Sequence, residues 1–185
     1  MNFWRLKQAA RELRKGGVIA YPTEAVYGLG CDPLNAQAVL RLLTLKDRPM
    51  EKGLILIASD FQQLQPFIRT PDSATLEKIQ STWPGPVTWL LPVKPETPVW
   101  LRGTHDTLAV RVTAHPQAAA LCRAFGGAIV STSANPGGFP PARNALQARR
   151  YFGDTIDDIL PGKVGSRRKP SEIRDAATGR VVRAG

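Results

Sequence analysis

Five short apolar runs constrain this chain more than any other feature. They fall at Val18-Ile19-Ala20-Tyr21, Leu54-Ile55-Leu56-Ile57-Ala58, Val87 to Leu91, Leu108 to Val112 and Ala128-Ile129-Val130. Between them lie segments whose apolar residues recur at three-to-four spacing. Strand-length runs that alternate with helical patterns give an α/β fold. The Leu54–Ala58 run has no polar alternation, which marks a strand covered on both faces. The expectation is a single twisted, open sheet, largely parallel or mixed, flanked by helices.

Helices are expected over Phe3 to Lys15, with Leu6, Ala9, Ala10 and Leu13 as the buried stripe, and from an Asn35 cap through Lys46. Further helices are expected over Ser73 to Gln80, Pro116 to Phe125 and Asn144 to Phe152. Thr23 to Asp32 reads as a loop, whose Gly28 and Gly30 allow a tight turn or close approach to a ligand. Pro92 to Thr107, rich in Pro and polar residues, also reads as loop.

The chain of 185 residues suits one domain with a sizeable core, 1–185, with a basic extension of the same domain at about 161–185. The net charge of +10 is concentrated at the ends. Residues 1–16 hold five cations and one anion, and residues 161–185 hold seven cations and two anions. If the termini fold close together they make one basic face, which favours a polyanion. No run is long and apolar enough for a membrane span, and no signal-peptide pattern is present, so a cytoplasmic location is expected. Cys31 and Cys122 are isolated and read as buried, inert thiols.

Four groups of residues carry possible chemistry. In Lys46-Asp47-Arg48-Pro49-Met50-Glu51-Lys52-Gly53, Pro49 pushes Arg48 toward extended geometry, which would turn Lys46 and Arg48 to one side and onto one polyphosphate. The alternative is a solvated helix end, where cations suit the dipole. Ser131, Ser133 and Asn135 would face one side if the strand continues through them, offering two hydroxyls and an amide to phosphate oxygens or a base edge; the alternative is a polar turn with local backbone bonding. Arg111, inside an apolar strand, either clamps a substrate carboxylate or pairs with an Asp or Glu. Thr23, with Glu24 beside it and Tyr27 four residues on, either lines a small amino-acid pocket or serves in capping and packing. His105 and His115 fit neither a metal site nor a catalytic triad and read as non-catalytic. The common nucleotide-binding glycine motifs are missing.

At these residues the chain resembles the YrdC/TsaC family. Tyr21-Pro22-Thr23-Glu24-Ala25-Val26-Tyr27-Gly28-Leu29-Gly30-Cys31-Asp32 resembles its opening signature, and Lys46-Asp47-Arg48-Pro49 its K-x-R-P motif. Trp83-Pro84-Gly85-Pro86-Val87-Thr88, Leu108-Ala109-Val110-Arg111-Val112 and Ser131-Thr132-Ser133-Ala134-Asn135 resemble further segments in the same order. The resemblance runs from about residue 8 to the C-terminus and is greatest to the short bacterial branch, the threonylcarbamoyl-AMP synthases.

That resemblance implies a YrdC-like fold and an ATP-dependent nucleotidyltransferase. L-threonine, bicarbonate or CO2, and ATP would give threonylcarbamoyl-AMP and pyrophosphate, for threonylcarbamoyladenosine (t6A) modification at adenosine 37 of tRNA. It implies that Lys46 and Arg48 act on the ATP phosphates, as catalytic as well as binding residues. Lys52, Ser131, Ser133, Asn135 and Arg183 would complete the ATP site. Thr23, Tyr27, Thr107, Arg111 and Ser171 would form the threonine site. Mg2+ would come with ATP rather than sit in a protein-built metal site. The implied partners are tRNA on the basic surface and other proteins of the bacterial tRNA threonylcarbamoyl transfer machinery, with no membrane. Many family members carry D-K-P where this chain has Glu51-Lys52-Gly53, so Gly53 is expected to leave the loop less constrained. The Arg167-Arg168-Lys169 run is assigned to tRNA or solvent. Competing readings are a non-catalytic RNA-binding or ribosome-assembly protein, and a carbamoyl-transfer domain of the kind used in hydrogenase maturation.

Overall fold

The computed structural model describes residues 2–167 and 169–185, so Arg168 of the basic run lies outside the described residues. The elements, in chain order, are α1 (Phe3–Arg14), β1 (Ile19–Pro22), β2 (Tyr27–Gly30), α2 (Ala36–Leu45), β3 (Ile55–Ala58), α3 (Ser73–Gln80), β4 (Val87–Pro92), α4 (Val99–Arg102), β5 (Thr107–Val112), α5 (Pro116–Phe125), β6 (Ile129–Ser133), α6 (Ala145–Phe152), β7 (Asp158–Ile159), β8 (Glu172–Asp175) and β9 (Val181–Arg183). The strands form one mixed sheet in the order β7-β1-β2-β6-β3-β5-β4-β8-β9. Parallel pairing joins β1 to β7, β3 to β5 and β4 to β8, and the other neighbours are antiparallel.

Both faces of the sheet are covered, as the unalternated Leu54–Ala58 run requires. On one face Leu6, Ala9, Ala10 and Leu13 of α1 pack with Leu121 and Cys122 of α5 over Ile19, Ile57 and Ile129. On the other, Val39, Leu42 and Leu43 of α2, Leu101 of α4 and Phe152 of α6 cover Leu29, Leu56, Val110 and Val130. The neighbours Leu56 and Ile57 enter opposite cores, following the two-residue period of a strand. Asn35 caps α2 as expected, its Oδ1 accepting from the Ala38 N–H at 3.0 Å. Both cysteines are buried and unpaired, and burial pushes both thiols up, that of Cys122 to about 12.

The structure corrects the expected loop at Thr23 to Asp32, because residues 27–30 of it form β2, paired antiparallel to β1 and β6. Its glycines do not mark a turn. A Cβ on Gly30 would lie 2.4 Å from the Val130 carbonyl oxygen and 2.8 Å from the Tyr21 ring, so glycine lets three strands close around a buried tyrosine. The 161–185 extension also holds more order than a turn-rich tail, since β8 and β9 continue the main sheet beyond β4.

Candidate active site

A notch opens where β3 starts too late to accompany β6 to its end. Ile55 pairs with Ser131, but no residue of β3 pairs with Thr132 or Ser133. Gly53 turns the chain away at φ +61°, and the Leu54 N–H donates to the Leu101 carbonyl instead. Thr132 and Ser133 pair only on their other side, with Leu29 and Gly28. The resulting cleft is lined by Ser131, Thr132 and Ser133, by Thr23 to Gly28, and by Arg48, Leu54, Ile55 and Arg111. Arg167, Lys169, Pro170, Ser171 and Arg183 cover it from the C-terminal side.

Lys46 and Arg48 do not sit on an extended segment, contrary to the argument from Pro49. Lys46 ends α2, Asp47 takes φ +48°, and two bonds close the turn: Arg48 N–H to Leu43 O at 3.0 Å and Asp47 N–H to Thr44 O at 3.1 Å. This is a Schellman ending with aspartate in the left-handed position usually held by glycine. The two cations therefore diverge. Lys46 Nζ donates to the carbonyls of Ser133 at 2.5 Å and Asn135 at 2.7 Å, behind the cleft lining. Burial first, and the Arg48 charge second, lower its ammonium to about 8. Arg48 lines the cleft, its Nη2 donating to Gly53 O at 2.8 Å. Gly53 is thus tightly held rather than loosened. It donates to Met50 O, and a Cβ on it would meet the Arg102 carbonyl oxygen at 3.1 Å.

The two readings of Arg111 resolve into a pair that still faces the cleft. Its Nη1 lies 2.6 Å from Glu24 Oε2, with both side chains largely buried. Burial alone would raise the Glu24 carboxyl, but the Arg111 charge, with the hydrogen bond from Thr113, outweighs it and holds it below the usual range. Nε of Arg111 and of Arg48 are buried with no hydrogen-bond partner among the described residues. Burial lowers the Arg183 guanidinium, and the charges of Arg48 and Arg111 lower it further. A guanidinium that two neighbouring guanidiniums make costlier to charge marks a site that favours an anion.

The covering segment is tied down by short bonds. Tyr27 Oη donates to Gly162 O at 2.7 Å and accepts from Gly162 N at 3.0 Å. His115 Nε2 lies 3.0 Å from Lys163 O, while its Nδ1 accepts from Ala118 N at the start of α5. Gly165 N donates to Thr23 O and Arg167 N to Glu24 O. Beyond it, Thr88 Oγ1 donates to Ser171 Oγ at 2.9 Å, and Arg183 Nη2 donates to Ser171 O at 2.8 Å.

Comparison with known proteins fits this geometry. The family model described as "Telomere recombination" (Sua5, YciO, YrdC) matches residues 11–185. The chain belongs to the Sua5/YciO/YrdC family. A threonylcarbamoyl-AMP synthase of Nitrosococcus oceani is 59% identical over 180 residues, 97% of each chain. One of Pseudomonas savastanoi is 53% identical over 185 residues, 100% of each chain. Among solved structures, P. abyssi Sua5 complexed with L-threonine superposes with a TM-score of 0.89 at 32% identity. That match covers 95% of this chain and 52% of the longer P. abyssi chain.

Of the residues that the Sua5/YciO/YrdC resemblance singled out, the fold brings Thr23, Tyr27, Arg48, Arg111, Ser131, Ser133, Ser171 and Arg183 to one cleft. Lys46, Lys52, Asn135 and Thr107 are not among its lining residues. Lys52 is exposed in a short 3-10 turn, and Thr107 pairs with Pro92 at the start of β5. Asn135 lies past the end of β6, so the row of three polar residues stops at Ser133. Its amide Nδ2 is taken by Pro136 O and Phe139 O. Arg167 and Lys169, assigned to tRNA or solvent, also line the cleft. Thr132 and the Glu24 carboxylate complete it. No local sequence signal marked Thr132, and Glu24 was visible only as a neighbour of Thr23. Among the described residues no group of three or more His, Cys, Asp or Glu stands together.

Proposed function

We infer that this chain is an L-threonylcarbamoyladenylate synthase of the tRNA t6A pathway. One observation carries the reading: Arg48, Arg111 and Arg183 converge on a cleft edged by the hydroxyls of Ser131 and Ser133, and two of the guanidiniums keep buried N–H groups unanswered. Such a site suits a polyphosphate together with a carboxylate. The names of the close relatives and of the threonine-bound P. abyssi structure support the same substrates.

In this reading Arg48 and Arg183 take the ATP phosphates, with Ser131 and Ser133 along the α-phosphate or sugar. Arg111 takes the threonine carboxylate, and Thr23 and Ser171 border the amino acid. The neutral threonine amine bonds to the carbon of CO2, whose C–O π pair moves onto oxygen as the nitrogen gives up a proton, or to that of bicarbonate, whose hydroxyl leaves with that proton as water; either gives the carbamate. A carbamate oxygen then bonds to the α-phosphorus while the bond from that phosphorus to the β-bridging oxygen breaks, and pyrophosphate leaves. Positioning and charge stabilisation carry this step, without a covalent enzyme intermediate. Glu24, the one carboxylate lining the cleft among the described residues, is committed to Arg111, so these residues do not fit a protein-built divalent-ion site, and Mg2+ enters as part of the nucleotide substrate.

The adenylate then passes to the proteins that modify tRNA in the cytoplasm. Part of the basic N-terminus is engaged locally: Arg5 pairs with Asp158, Lys15 with Glu12, and Arg14 donates to the α5 carbonyls of Ala124 and Phe125. Lys7 and Arg11 stay exposed on α1, which packs beside β1 and β7, whereas β8 and β9, with Arg174, Arg180 and Arg183, form the opposite edge of the sheet, so the two basic ends offer separate contacts to tRNA and not one face. The test is product analysis with threonine, labelled bicarbonate and ATP. Threonine-dependent label in an adenylate is the expected result, and pyrophosphate release indifferent to threonine sinks the reading. A non-catalytic RNA-binding protein would show salt-sensitive RNA binding and no turnover.

A further inference from the structure

Among the described residues, five cationic side chains line the cleft, Arg48, Arg111, Arg167, Lys169 and Arg183, against one carboxylate, Glu24. Glu24 is held in place. Its Oε1 accepts from Thr113 Oγ1 at 2.7 Å and from Ala114 N at 3.1 Å, and its Oε2 lies 2.6 Å from Arg111 Nη1. Its own backbone carbonyl holds Arg167 N, and the carbonyl before it holds Gly165 N. A carboxylate fixed at this many points cannot swing into solvent when an anion arrives. By contrast, Arg48 and Arg183 are bonded to neutral oxygens, those of Gly53 and Ser171. Arg48, Arg111 and Arg183 therefore fall into two kinds: Arg111 with a permanent counter-ion, Arg48 and Arg183 on neutral oxygens.

The two substrates differ in the same respect. A polyphosphate carries several negative charges and is drawn most strongly to cations without a counter-ion. An amino-acid carboxylate carries one. Approach to Arg111 brings any anion near Glu24, and each further negative charge adds to that repulsion. A guanidinium has donors to spare beyond Nη1, so a single carboxylate can still share it. We propose that Glu24 is a specificity-determining residue, which reserves Arg111 for the amino-acid carboxylate by keeping phosphate groups off it. The proposal rests on the synthase reading above.

Glu24→Gln removes the charge and keeps an Oε1 acceptor for Thr113 and Ala114. Glu24→Asp keeps the charge. Inorganic phosphate binding is read by calorimetry, without turnover. Phosphate should bind Glu24→Gln about tenfold more tightly than wild type, since removing a nearby like charge acts directly on an anion. Glu24→Asp should stay near wild type. In turnover, Glu24→Gln should raise the threonine KM about tenfold and leave the ATP KM within about threefold, a split that general loosening of the fold would not give. In wild type, phosphate should compete with ATP and not with threonine, a result that needs no variant to fold.

The proposal is overturned if phosphate binds Glu24→Gln and wild type alike, if Glu24→Asp gains phosphate affinity as Glu24→Gln does, or if phosphate competes with threonine in wild type. Wild-type protein with no threonine-dependent turnover would overturn the synthase reading instead, leaving the calorimetric comparison to judge Glu24 by itself.

Discussion

Replacing Gly30 by alanine tests how closely the sheet is built around Tyr21. The added methyl would sit 2.4 Å from the Val130 carbonyl oxygen and 2.8 Å from the Tyr21 ring, both far inside van der Waals contact. Neither neighbour can retreat easily. The Tyr21 ring is fully buried and its hydroxyl donates to that same Val130 carbonyl at 3.2 Å. The carbonyl belongs to β6, whose Val130 N–H is bonded to Cys31 O. Overpacking of a tight core costs about 1–3 kcal/mol, and contacts on a strand backbone put this case at the upper end. For a chain of this size, that is a fall in Tm of roughly 4–10 °C. Gly28→Ala is the internal control. Its methyl would meet Thr23 Cγ2 and Tyr21 Cζ at 3.3 Å and Ser131 Oγ at 3.4 Å, which a few tenths of an ångström relieve. Gly28 also lines the cleft, so its substitution should cost less than about 1 kcal/mol of stability and appear mainly as a raised substrate KM. Urea unfolding of the two variants beside wild type reads the difference. Equal stability losses, or a Gly30→Ala loss below about 0.5 kcal/mol, would refute the claim that the glycines serve close packing on Tyr21.

Other outcomes follow from the same geometry. Tyr27→Phe removes the group that both donates to and accepts from Gly162, and should cost about 1–3 kcal/mol in urea unfolding while loosening the segment over the cleft. Arg48→Ala should raise the ATP KM in the pyrophosphate-release assay well above any change in the threonine KM, by about tenfold or more. Lys46, lowered to about 8 in the folded chain, binds its proton less well there than when unfolded. Between pH about 8 and the ordinary lysine range the unfolded chain therefore holds the extra proton, and stability should rise with pH relative to Lys46→Met. Unfolding midpoints compared across that window test the sign, and parallel curves would contradict it. Asp47→Gly should raise stability by about 0.5–1 kcal/mol, because glycine meets no steric penalty at φ +48°.

Elements that declare themselves locally were legible in the sequence. The Leu6, Ala9, Ala10, Leu13 stripe and the Asn35 cap depend on residues a turn apart, and α1 and α2 lie where those signals put them. β2 was hidden because two of its four residues are glycines, whose role is set by a tyrosine on another strand. β7 has two residues and β9 is exposed throughout, so neither carries an apolar pattern to read. The site divides in the same way. Arg111 stood out as a charge in an apolar strand, but its partner Glu24 comes from a distant part of the chain, so a structural and a functional role could not be separated from sequence. The divergence of Lys46 and Arg48 turned on Asp47 adopting the left-handed conformation, which aspartate tolerates better than most residues but which the argument from Pro49 did not consider.

The missing length of β3 has a further effect on Lys46. Along β6, Val130 and Ala134 donate toward the β2 side, so by alternation Ser133 turns its main chain toward the space β3 has vacated. The Lys46 ammonium fills that space and stands in for an absent strand. Lys46 is thereby committed to the exit of β6 and not to the cleft, and hydrogen exchange through Ala134 and Asn135 should quicken in Lys46→Met whether or not ATP is bound.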